Sequence, residues 1–293
     1  MKNRTQVSAI FILCVSMLTF GGCKSNDTST KVNPLATSKP TVTETKIAPP
    51  DIKVTQKADV EAIDITALEE LRGIPFTAED KAHNLYRGLF GEEEVLLSLW
   101  IDKELNEAQI SFVGAYHSDK LTYDCELLED GVRFHNEDCY ILLKQQKDDE
   151  LAGYYYESGQ DIVDVKLQLE AINYTMDKEH MYAIGTNKEI ENFAQDVLDS
   201  VNAYDFEAFS QYVAFPITVH VNQAIQTIET KEEFMELGPD VIFTDEFLAS
   251  MAVAYPSMMF SNATGGVMLG EGTYNVWMQK VDGTQLRVVA INN

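Results

Sequence analysis

Basic residues are scarce in this chain: 22 Lys and Arg stand against 47 Asp and Glu, a formal net charge of −25. Such a polyanion repels nucleic acid and anionic headgroups, which excludes a nucleic-acid partner and disfavours phosphate ligands. Histidine is also thin, with five scattered residues, and cysteine occurs only at positions 14, 23, 125 and 139. Without a His cluster beside paired cysteines, no zinc site is expected. The chain has no His-Glu-x-x-His, no phosphate-binding glycine loop and no Gly-x-Ser-x-Gly elbow. No cofactor is expected. Beyond the N-terminus no apolar run reaches the ~18 residues of a membrane span, and no repeat of 20–50 residues is evident.

The N-terminus is different. Met1-Lys2-Asn3-Arg4 is basic, Val7–Phe20 is apolar, and Gly21-Gly22-Cys23 follows. A basic start, a short apolar core and small residues behind it are the parts of a secretory signal peptide over 1–22. The apolar run is shorter than the ~20 residues a spanning helix needs, and the two glycines break it, which argues against a retained helical anchor. Residues 24–50 are rich in Ser, Thr, Pro, Lys and Asn, a composition that cannot bury enough surface to offset its ordering entropy. This N-terminus resembles bacterial lipoprotein precursors, whose lipobox ends in the cysteine that is lipidated. Phe20-Gly21-Gly22-Cys23 matches at the small positions and the cysteine, with Phe20 where leucine is usual. The resemblance implies lipidation of Cys23, multiple acylation for stable tethering, and a folded part held outside the bacterial cell membrane by a lipid-anchored linker over 23–50.

The leader carries Lys2 and Arg4, and the linker four lysines with Asp27 and Glu44. Residues 51–293 therefore keep 16 basic and 45 acidic groups, a net charge near −29. This charge favours solubility outside the cell, or a basic partner. Cys14 leaves with the leader, so Cys125 and Cys139 are the cysteines of the folded part. In an exported protein they can form a disulfide, contributing roughly 3 kcal/mol for a loop of this size. Alternation around both positions equally fits two buried thiols.

Fold class reads as α+β in two parts. Over 51–185, helices are expected first: Asp64–Leu71 carries Ile65, Leu68 and Leu71 on one face. Thr77-Ala78-Glu79-Asp80 is like a capping box, followed by Ala82, Leu85, Tyr86 and Leu89 at helical spacing. After Gly91 the period becomes two. Strands are expected at 94–101, 109–116, 121–128, 131–135, 139–143, 151–157 and 162–170, with turn residues between them. They make an antiparallel meander or a small barrel. Tyr154-Tyr155-Tyr156 could form an aromatic binding strip, although alternate tyrosines packing on the sheet, with Tyr155 on the other face, is the stronger account. Glu92-Glu93-Glu94 and Asp148-Asp149-Glu150 lack calcium-loop spacing and read as solvated turns.

Over 186–293, Thr186-Asn187-Lys188-Glu189 and Thr230-Lys231-Glu232-Glu233 are capping boxes. Ile190, Phe193, Ala194, Val197, Leu198 and Val201 mark one face of a long helix. Asp205 opens a short helix, Pro216 precedes a strand 217–221 that turns into 225–229, and Thr244 or Asp245 caps a further helix. Three strands close the chain at 266–269, 273–279 and 286–291. The order of elements resembles the cone-shaped α+β fold of the nuclear-transport-factor and ketosteroid-isomerase (SnoaL-like) superfamily. Local matches are Tyr212–Ile217, Lys231-Glu232-Glu233-Phe234 and Gly265–Gly272. The resemblance implies a curved sheet around a long helix with a pocket between them. Enzymes of that superfamily use a pocket Asp or His beside a Tyr or second acid, so the candidates here are Tyr204, Asp205, Tyr212, His220, Tyr274 and Trp277. Asp205 also sits where a helix cap belongs, and His220 lies on the strand face opposite Ile217, Val219 and Val221. No catalytic set emerges. The reading that follows is a tethered, non-catalytic binding or interaction module whose ligand is a small molecule or a protein, a basic one if charge decides. The alternative is an isomerase, dehydratase or cyclase working in the cone pocket.

Overall fold

A computed structural model describes residues 71–114, 123–175, 177–221 and 224–293. The first eight strands are β1 (His83–Phe90), β2 (Glu93–Asp102), β3 (Glu107–Gly114), β4 (Asp124–Leu128), β5 (Gly131–His135), β6 (Cys139–Lys147), β7 (Glu150–Glu157) and β8 (Val163–Asn173). They form one antiparallel sheet in the order β3-β2-β1-β8-β7-β6-β5-β4. Its margins β3 and β4 approach each other, so the sheet curls into a nearly closed barrel. The interior is packed with side chains. Phe90 lies 5.3 Å from Phe112 and 5.1 Å from Tyr155, ring centre to ring centre, and Leu97, Leu99, Ile141 and Leu143 are fully buried around them.

The expected helix after Thr77 is instead β1. Strand β1 is covered on both faces from His83 to Tyr86, so no two-residue alternation shows, and Ala82, Leu85 and Tyr86 imitate a helical stripe. Thr77 caps nothing: its hydroxyl donates to the Asp148 carbonyl at 2.9 Å, and the Glu79 amide goes to Asn84 Oδ1 at 2.8 Å. The other expected helix, Asp64–Leu71, lies outside the described residues except for Leu71, which is not helical.

The second sheet contains β9 (Val213–Val221), β10 (Ala224–Ile228), β11 (Phe260–Ser261), β12 (Val267–Glu271), β13 (Tyr274–Val281) and β14 (Gln285–Asn292). Its order is β10-β9-β14-β13-β12-β11, antiparallel except for β14 beside β9. β9 begins three residues before Pro216 and runs through it. Pro216 has no N–H to give, and the β14 ladder is irregular there, stepping from Val213 to Thr218.

Among the described residues, five helices pack on this sheet: α1 (Asn187–Asn202), α2 (Phe206–Ser210), α3 (Lys231–Leu237), α4 (Pro239–Ile242) and α5 (Asp245–Ala252). Thr186, Asp205, Thr230 and Thr244 cap α1, α2, α3 and α5, each side chain accepting a backbone N–H three residues on. Each such cap contributes about 1 kcal/mol. The apolar face of α1, from Ile190 to Val201, joins Phe209, Phe234 and Phe247 in a filled core, and each of these three rings is fully buried. Phe206 stacks on Phe234 at 4.8 Å, and Phe209 meets Phe243 edge-on at 5.4 Å.

Asn173, at the end of β8, fastens one sheet to the other. Its side-chain amide donates to the carbonyls of Met181 (3.2 Å) and Met259 (3.0 Å) and accepts from the Ser261 amide (2.7 Å). It is fully buried. Leu85 and Leu96, on the outer face of the barrel, belong to the core of the second sheet.

Candidate functional site

The junction that Asn173 closes also leaves a cleft. Outward side chains of β1 and β8 form one wall. The chain from α5 into β11, together with β12, forms the other. The cavity measures about 560 Å³, and its apolar lining includes Leu96, Ala171, Met258, Met259 and Met268. Met258 and Met259 are held by two anchors on the same segment. The Tyr182 hydroxyl donates to the Pro256 carbonyl (3.2 Å) and accepts from the Met259 amide (3.4 Å), and Asn173 holds the Met259 carbonyl. Burial pushes the Tyr182 phenol far above its ordinary range, so it stays a neutral donor.

Arg87 crosses the mouth. Its Nε donates to Glu170 Oε1 on the neighbouring β8 at 2.9 Å, and an Nη donates to Glu271 at the end of β12. Two carboxylates therefore face one guanidinium, a local charge of −1. Ser250 of α5 positions Glu271, accepting from its amide at 2.7 Å and donating to the Tyr274 carbonyl at 2.6 Å. Gly270 makes this close approach possible. Its φ is +102°, and a Cβ there would lie 2.7 Å from the Tyr274 carbonyl oxygen.

A second cavity of about 450 Å³ adjoins the first and shares Glu170, Ala171 and Phe260 with it. Tyr174 and Ser261 line this part. The Ser261 side chain is buried, and its hydroxyl has no hydrogen-bond partner among the described residues. Phe260 is backed by Trp277, ring centres 6.0 Å apart and edge-on. Gly266 admits that indole, since a Cβ there would sit 2.9 Å from its Cε3.

The residues singled out in the sequence are not brought together. Trp277 supports the Phe260 wall from behind. Tyr204 is exposed, with φ +54°, and its hydroxyl donates to Asp240 Oδ1 at 2.7 Å. Asp205 is the α2 cap, accepting from the Ala208 amide at 2.9 Å. Tyr212 is half-buried and edge-on to Phe193 at 5.6 Å; burial, then Asp196 and Asp199, push its phenol up. His220 lies on the face of β9 away from buried Ile217 and Val219. Tyr274 lines a separate hollow of about 340 Å³ with Asp240, Thr244 and Asn293. In that hollow Asp240 is exposed and already bonded to Tyr204. Among the described residues these six do not line one shared pocket, and Phe209, Phe234 and Phe247 fill the core beside the second sheet.

Cys125 and Cys139 are free thiols. Cys125 on β4 faces Phe134, and Phe134 faces Ile141 on β6, two residues along from Cys139. Two strand spacings separate the cysteines by about 10 Å, beyond the ~7 Å between Cα atoms that a disulfide tolerates. The Ala108 amide donates to Cys125 Sγ at 3.3 Å, and burial pushes the Cys139 thiol up. Tyr154 and Tyr156 lie on the outer face of the barrel with Tyr140 and Leu142, and Tyr155 on the inner. The tyrosine run is therefore two-faced packing.

Arg87, Glu170 and Glu271 escaped the sequence reading. They are far apart along the chain, and Glu271 sits in a Gly-Glu-Gly turn that looks like solvated punctuation. Among the described residues, no group of three His, Cys, Asp or Glu could hold a metal ion, and no helix is long and apolar enough to cross a membrane. Comparison with protein-family models, with curated proteins and with solved structures finds no match.

Proposed function

We propose that the chain is an exported lipoprotein, tethered outside the bacterial membrane through Cys23, whose folded part is a non-catalytic binding module with its ligand site in the cleft between the sheets. The observation that carries this is the 560 Å³ cavity with apolar walls and a charged rim. Its size and its largely apolar lining suit a ligand pocket. The 23–50 spacer gives that module reach from the membrane. The element order after Thr186, and the second sheet sharing its core with α1, support the likeness to the cone-shaped superfamily. The separate sheets of β1–β8 and β9–β14 support a division into a β-rich part over 51–185 and a cone-like part over 186–293. An enzyme working inside the cone has less support, because Phe209, Phe234 and Phe247 occupy the interior.

Photolabelling of the intact lipidated chain in detergent with an alkyl diazirine tests the cleft. Adducts are expected at Tyr255, Met258 and Met268, and Met268→Trp, which fills the space, should remove them. Adducts that avoid these residues, or that persist in Met268→Trp, overturn the cleft as the binding site.

A further inference from the structure

Glu170 stands where two cavities meet. The larger one holds Tyr255 and the methionine wall; the smaller holds Tyr174. Resting on the cleft reading above, we infer that this double groove takes an extended peptide segment of a basic protein, with a lysine or arginine at Glu170 and an apolar side chain in each cavity.

Charge decides the sign of the occupant. Glu170 and Glu271 outnumber Arg87 at the rim, and the body around them carries a net charge near −29 over residues 51–293. An acidic or phosphorylated segment meets repulsion both locally and at long range, whereas a basic one is steered in. Arg87 leaves one oxygen of each carboxylate for a second cation, because its contacts use Oε1 of both.

Shape decides that the occupant is extended. In an extended chain the side chains at alternate positions share a face and lie about 7 Å apart. An apolar–basic–apolar set at i, i+2 and i+4 therefore matches two apolar hollows flanking one carboxylate. Tyr174 is 56 % exposed and Tyr255 38 %. Each offers a ring on the open side of its cavity for apolar stacking or a cation–π contact.

The test is fluorescence anisotropy with the intact lipidated chain in detergent and a labelled peptide of sequence Ser-Leu-Ser-Lys-Ser-Leu-Ser. Binding is expected to weaken at least tenfold when the lysine is replaced by glutamate, and to fall as salt rises from about 50 to about 500 mM. Glu170→Gln and Tyr174→Ala should each weaken it about fivefold. Tyr174 is exposed, so its loss reports on binding with the fold intact. Equal binding of the glutamate peptide or of a norleucine peptide overturns the inference, as does indifference to both substitutions. If the lysine peptide fails to bind while the diazirine still labels Met258 and Met268, the basic-peptide inference alone falls. If labelling is absent as well, both it and the cleft reading fall.

Discussion

The guanidinium of Arg87 on β1 and the carboxylate of Glu271 on β12 are hydrogen-bonded across the cleft, joining the first sheet to the second. The pair is conspicuous but energetically slight. Arg87 and Glu271 side chains are 30 % and 37 % exposed, and ion pairs of that exposure contribute about 0–1 kcal/mol. Asn173, fully buried, is the stronger fastening, since its loss strands two carbonyls and an amide. Arg87→Ala should shift urea stability by under about 1 kcal/mol, and Asn173→Ala by about 3 kcal/mol. Equilibrium unfolding of both variants checks the ranking.

His83 supplies a pH dependence. It is buried, Nδ1 3.0 Å from Ser98 Oγ and Nε2 3.0 Å from the Asp177 carbonyl, and burial holds its pKa below the ordinary 6.5. A pKa lowered in the folded state means that the unfolded chain binds the proton more readily. Stability is therefore full above pH 6.5 and declines as pH falls through the folded value. Urea midpoints should drop between pH 7 and 5 in the parent protein, and this drop should be shallower in His83→Gln. An identical slope in the two proteins contradicts the assignment.

The strand register leaves both thiols unpaired. Unfolding in the absence of reductant should make Cys125 and Cys139 both available to iodoacetamide. In the folded protein half-buried Cys125 should react first, with Cys139 slow because its thiol is buried and its pKa raised. A mass two hydrogens lower, resistant to alkylation, contradicts the register.

Export and anchoring rest on one atom. Cys23→Ala should abolish incorporation of a palmitate analogue and release the protein from membranes. A variant that stays membrane-bound without label indicates a retained helical anchor instead.

Much of the fold was legible because local chemistry and tertiary context agree in the second half. Thr186, Thr230 and Thr244 announce helices by capping, and the Glu-Gly and Asp-Gly turns announce hairpins. The first half was legible only after Gly91. β1 is covered on both faces, and buried polar residues His83 and Asn84 interrupt its pattern, so Leu85 and Tyr86 gave a false helical period. The site was nearly invisible. Arg87, Glu170 and Glu271 look like ordinary surface charges, and only the packing of one sheet on the other assembles them. Tyr204, Tyr212, His220 and Tyr274 drew notice as polar aromatics and a histidine near the expected cone, but strand alternation and phenylalanine packing turn them elsewhere.

Methionine methyl NMR of the lipidated chain, titrated with the lysine peptide, reads the cleft itself. The Met258, Met259 and Met268 methyls should shift, with the Met278 methyl, fully buried in the second core, unmoved. A titration in which the peptide binds but leaves those three methyls in place, or moves Met278 instead, contradicts a binding cleft between the sheets.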